Sequence, residues 1–216
     1  MTKLSQLHLF IVFSIALLGP MNGQAQETSA AHRHMGHVAD GFRGTPDGMG
    51  LLPTAMAEAE VAARHASLSA TNLTDLAAMQ RHAGHVLHAL EGGEGRPGLG
   101  YGLKKATEGI IAHIEMAAGG DGASQGVITH SNHVATSSRN TLERASLIID
   151  YIEKVQNTDS VNEAGRMTEQ IATLAEQLLA GFDSNEDGRI GWQENEGGLQ
   201  QAEQHMNIMK RGEGMP

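Results

Sequence analysis

Leu73, Leu76, Gln80, Ala83, Leu87 and Leu90 follow one another at steps of three, four, three, four and three residues. That is the repeat of one face of an α-helix. A strand, with its period of two, would scatter the same side chains over both faces of a sheet. The pattern recurs along the chain. Leu52, Ala55, Ala59, Ala62, Ala66 and Ala70 predict a helix over 52–70, and Asn72 is placed to cap the next one. Leu103, Ala106, Ile110, Ile114 and Ala117 predict a third helix over 99–118. A long fourth, over 123–156, runs on Val127, Val134, Ser138, Leu142, Ala145, Ile149 and Ile152. A fifth carries Met167, Ile171, Leu174, Leu178 and Phe182. Glycine-rich or polar breakers at 91–98, 119–122 and 157–160 separate them. Short connections make neighbouring helices antiparallel, so the expectation is an all-α chain with an up-down four-helix bundle.

Composition supports helices. Aromatic residues are only 3% of the chain, whereas glycine occurs 27 times and alanine runs are frequent. A core with few rings must come from Ala, Leu, Ile and Met packed closely, which favours helices over sheets. Asp and Glu exceed Lys and Arg by 25 to 15, a formal charge of −10, so no basic face is available for nucleic acid. Cysteine is absent. That excludes a disulfide scaffold, thiolate metal ligands, a cysteine nucleophile and covalently attached c-type haem. No phosphate-binding fingerprint or nucleophile elbow is present, and nothing places Ser, His and Asp as a triad, so the sequence does not support an enzyme.

Residues 1–25 read as a secretory signal. Lys3 precedes the apolar stretch LHLFIVFSIALL at 7–18, and Gly23-Gln24-Ala25 offers small residues for cleavage after Ala25. The stretch is shorter than the roughly 20 residues a spanning helix needs. The expected mature protein is periplasmic or secreted, with no membrane contact once the signal is cleaved. Residues 26–50, rich in His, Gly and turn formers, read as a flexible arm, followed by the bundle over 51–157 and a C-terminal part over 158–216.

Residues 183–194 read DSNEDGRIGWQE. Asp183, Asn185 and Asp187 take positions one, three and five, Gly188 is sixth, Ile190 eighth and Glu194 twelfth. The segment resembles the EF-hand calcium loop. Calcium prefers six to eight oxygens, which alternate residues of a turning loop can supply together. The resemblance implies side-chain ligands from Asp183, Asn185, Asp187 and Glu194. It further implies the backbone carbonyl of Arg189, and a water at Gly191. It covers only the C-terminal quarter. The loop is single where EF-hands pair, which suggests a homodimer through it, and Gly197-Gly198 interrupt the exit helix. A structural or modulatory site fits better than a sensor.

Twelve histidines are many for 216 residues. Glu60, His65, His82, His85 and Val86 recur 48 residues later as Glu108, His113, His130, His133 and Val134. A duplicated αα-hairpin is the simplest source of this pattern. Residues three apart share a helix face, so His82 with His85 and His130 with His133 form pairs. His65 and His113 are expected to face the pair on the following helix. Imidazoles converging from two helices suit zinc, copper or nickel. Glu58, Glu60 and Glu108 are placed to orient those rings or to add a carboxylate ligand. The arm contributes weaker candidates in His32, His34 and His37. Gly102, Ala106 and Gly109 leave a small-residue strip where haem could lie between axial histidines, though few aromatics are available to pack it. His205, with Met206, Met209 and Met215, lies beyond the bundle, and its replacement is expected to change little.

These residues point first to an exported calcium-binding protein that also buffers or delivers a transition metal. A calcium-stabilised interaction module with structural histidines is the alternative from another class. A small copper or haem redox protein is the third.

Overall fold

The computed structural model describes residues 29–95 and 97–216; the predicted signal at 1–25 lies outside them. The described chain is all-α, with seven α-helices and no strand. They are α1 (Ala30–Ala39), α2 (Leu51–Ala70), α3 (Leu76–Glu91), α4 (Leu103–Gly119), α5 (Gln125–Asn157), α6 (Val161–Ala180) and α7 (Leu199–Gly212).

Helix starts follow local chemistry. Ser29, Asp75, Ser124 and Ser160 each accept a hydrogen bond from a backbone N–H in the first turn of α1, α3, α5 and α6. A cap of this kind is worth about 1 kcal/mol. Asn72 does not cap α3; its Oδ1 instead accepts from the N–H and hydroxyl of Thr74, and the helix starts three residues later at Asp75. The other three helices start at glycines. A Cβ at Gly50 would lie 2.5 Å from the Ala39 carbonyl carbon, and one at Gly102 would lie 2.6 Å from that of Glu91. At Gly198 it would lie 2.6 Å from the Leu179 carbonyl oxygen. The N-termini of α2, α4 and α7 thus press against the end of the preceding helix, a corner repeated three times.

The expected arm is ordered in its described part. Ala31, Met35 and Val38 form one fully buried face of α1, which packs on α4. Short-range spacing in this segment was masked by the glycine-rich stretch after it. Between α1 and α2, Thr45 Oγ1 donates to the carbonyls of Phe42 and Met49 and closes a tight loop. The long α5 packs against α3, α4, α6 and α7, while α2 lies against α3, α4 and α6. One apolar core runs from Ala31 through Met209. The C-terminal helices α6 and α7 share this core with the other described helices. Each fully buried Leu, Ile or Met in it contributes about 1.5–3 kcal/mol. No described helix is long and apolar enough to cross a membrane.

Candidate metal centres

Among the described residues, nine histidines converge in three groups of three. The first is His34 and His37 of α1 with His113 of α4. The second is His82 and His85 of α3 with His65 of α2. The third is His130 and His133 of α5 with His205 of α7. Within each group one nitrogen per ring lies within 4.8 Å of the others. Each pair sits three residues apart on one helix and so presents both rings to the same side.

The geometry is nearly the same three times. The lone ring meets the first ring of the pair at 33°, 30° and 26°, and the second at 81°, 77° and 70°. Contact is through Nδ1 throughout. His113 Nδ1 lies 2.9 Å from His34 Nδ1 and 3.4 Å from His37 Nδ1. His65 Nδ1 lies 3.2 and 3.3 Å from those of His82 and His85, and His205 Nδ1 lies 3.0 and 3.4 Å from those of His130 and His133. Tetrahedral zinc with Zn–N bonds of about 2.0–2.1 Å needs nitrogens about 3.3–3.4 Å apart. The observed separations fall at or slightly under that edge length.

Hydrogen bonding alone accounts poorly for these contacts. An imidazole Nδ1 carries one proton or one lone pair, so the lone ring can direct a good hydrogen bond to only one of its two neighbours. In the second group His65 is buried, and its Nε2 is buried without a partner. Three imidazole nitrogens this close to one another could share a cation instead.

Burial and neighbouring charge favour the neutral form of His34, His65, His82, His113, His133 and His205. Burial, then His85, His82 and Arg64, push the His65 pKa down to about 4. Burial, then His133 and His130, bring His205 to about 4. His34, His82, His113 and His133 are lowered chiefly by burial, with neighbouring positive charge adding to it. A ring that resists protonation keeps its lone pair for a metal.

Of the two expected hairpin groupings, the structure brings one set of histidines together and separates the other. His65 meets His82 and His85 as the hairpin geometry requires. His113 does not meet His130 and His133. It faces α1, because that helix docks on α4 and brings His34 and His37 to it. His130 and His133 face α7, where His205 completes the third group. His205 therefore belongs to a candidate centre, contrary to expectation, and so do His34 and His37. A sequence signal for the third copy exists: His34-x-x-His37-Val38 stands 48 residues before His82-x-x-His85-Val86, the same step that leads to His130-x-x-His133-Val134.

The carboxylates have other roles, since no group contains one. Glu58 is fully buried and accepts the backbone N–H groups of Leu99, Tyr101 and Gly102 at 3.1, 3.0 and 3.0 Å. It holds the loop that leads into α4. Glu60 and Glu108 are exposed. His32 Nε2 pairs with Glu213 Oε2 at 2.8 Å, and the Ser124 hydroxyl donates to the other carboxylate oxygen, tying the chain end to α1 and α5. The haem strip is filled: a Cβ at Gly109 would lie 2.9 Å from the Leu51 side chain, and Gly102 abuts Glu91.

In the 183–194 loop the acidic side chains fold inward on the backbone. Asp183 accepts from the N–H groups of Asp187 and Gly188, Asn185 Oδ1 from Asp187, and Asp187 from Arg189, at 2.9–3.2 Å. Gly188 has φ 83°, the left-handed turn expected of the sixth position. The second half departs from the EF-hand pattern. Glu194 is exposed and starts a turn, and α7 begins only at Leu199. Glu196, 2% exposed, instead reaches the loop, accepting from Asn185 Nδ2 and the Gly191 N–H at 2.6 and 2.9 Å.

No protein-family model, curated protein or solved structure matches the chain.

Proposed function

We propose that this chain is an exported metal-binding protein that holds a transition-metal ion at each of three three-histidine centres, for buffering or delivery. The single observation that carries this reading is the repetition of one Nδ1-centred geometry in three places built from six different helices. Packing accidents would not give nearly the same two ring angles three times. Three imidazoles leave the fourth tetrahedral position open, which permits a solvent ligand and exchange with a partner or chelator. Neutral nitrogen ligands favour zinc or copper over calcium and magnesium. Export is supported by the apolar stretch at 7–18 and the small residues at 23–25. Calcium at 183–194 is supported by the inward-turned side chains of Asp183, Asn185 and Asp187, and it would stiffen the connection between α6 and α7.

The test is elemental analysis of the purified protein after loading and desalting. Three equivalents of zinc or copper per chain are expected, falling to two in His65→Ala, His113→Ala or His205→Ala. Retention of no transition metal at neutral pH would overturn the reading.

A further inference from the structure

The three centres share their ligands' geometry but not their surroundings. Phe42 approaches His37 and His113 edge-on in the first, with interplanar angles of 73° and 63°. In the third, the indole of Trp192 lies flat on the His133 ring, centroids 3.8 Å apart and planes 15° apart. A face-to-face stack at this distance leaves a ring little freedom about χ2, so His133 is held before any ion arrives.

Trp192 is itself held from α5, the helix that carries the ligand. Asn140 lies seven residues beyond His133 and Arg144 eleven beyond, on the same helix face. Asn140 Nδ2 donates to the Gln193 carbonyl at 2.8 Å, and its Oδ1 accepts from the Asn195 N–H at 3.0 Å. The buried Arg144 guanidinium donates to the carbonyls of Asn195, Glu196 and Gly197 at 2.7–2.8 Å. The Gly191 N–H, just before the indole, is fixed on Glu196. The same segment then enters α7, with the Gly198 N–H bonded to Gln201 Oε1 at 2.8 Å, and α7 carries His205. One strap thus joins the indole to both helices that supply ligands.

We infer that Trp192 is a positioning residue of the third centre: by fixing His133 it makes this centre the tightest of the three and the first to fill. The inference rests on the metal reading above. Ordering one ligand side chain in advance is worth on the order of three- to tenfold in affinity.

Trp192 is the chain's only tryptophan, so of the three histidine centres its fluorescence reports the one it stacks on, provided calcium is left out of the titration. The probe is Cu²⁺ added to metal-free protein, with bound copper measured in parallel by equilibrium dialysis. Quenching is expected to finish with the first equivalent while binding continues to three, and His133→Ala should remove that early quenching. Trp192→Ala is expected to weaken the tightest class of sites three- to tenfold, and Trp192→Phe to recover most of the loss by restoring a flat ring. The two remaining centres, still taking up two equivalents, show that each variant is folded. Three equivalents bound with quenching only at the last, or with Trp192→Ala titrating as the wild type, would overturn the role of Trp192 and leave the metal reading intact. No copper bound at all would overturn both.

Discussion

His205 Nδ1 lies 3.0 Å from His130 Nδ1, although 75 residues separate them along the chain. The contact exists because α7 folds back along α5, and it brings a histidine near the chain end to the pair on α5 as the third member of a candidate centre.

His205→Ala should therefore remove one equivalent of bound zinc and leave two, with the fold retained. His130→Ala and His133→Ala should act on the same equivalent, so that combining either with His205→Ala removes no more metal. His32→Ala, outside the groups, should leave all three. Metal content per chain after desalting decides this, and a His205→Ala protein still holding three equivalents would refute the third centre.

The metal-free protein should lose stability on mild acidification. His65 and His205 have folded pKa values of about 4 against an ordinary 6.5. Between these values the unfolded chain binds more protons than the folded one, so stability rises with pH through this window and levels off above it. Melting temperatures in chelator should be flat above about pH 6.5 and fall steadily towards pH 4. His65→Phe or His205→Phe should flatten that fall, because a ring that cannot titrate removes its share of the linkage. Equal slopes in the variants and the wild type would contradict it.

Zinc and calcium should separate along one pH titration. Each proton bound by a triad competes with zinc, whereas Asp and Glu titrate about two units lower than imidazole. Zinc release should therefore precede calcium release as pH falls, read by dialysis against both ions.

Calcium should raise the melting temperature if the 183–194 loop binds it. A tenfold excess over Kd contributes about 1.4 kcal/mol, or about 3–6 °C for a chain of this size. Asp183→Asn, at an inward-turned carboxylate, should remove most of that shift, and calcium should also alter Trp192 fluorescence, since the indole belongs to the loop. No shift at millimolar calcium would exclude the site.

Glu58→Ala should destabilise without affecting metal. It strands three backbone N–H groups of the loop before α4, two of them in partly buried surroundings and one buried, at a cost of about 2–4 kcal/mol. Zinc stoichiometry should stay at three. A loss of metal with unchanged melting temperature would return Glu58 to the ligand set.

The helices from α2 to α6, their order and the nearness of His65 to His82 and His85 were legible in the chain itself, because they rest on local relations. Apolar residues at three and four steps define a helix face, a serine or aspartate caps it, and a tight turn folds one helix onto the next. The HxxHV signal at 34, 82 and 130 is equally local, although the glycines after its first copy obscure the helical period of α1. The partners of the other two pairs were settled only by tertiary packing. Helix α1 docks on α4 through Ala31, Met35 and Val38, and α7 lies on α5, so His113 and His205 meet rings 79 and 75 residues away. The same holds for Glu58, whose charge suggested a ligand but whose burial against three amides made it a loop anchor. Spacing along a helix determines which side chains share a face, but which helix that face meets depends on the burial of the whole apolar surface, and that is a property of the folded chain.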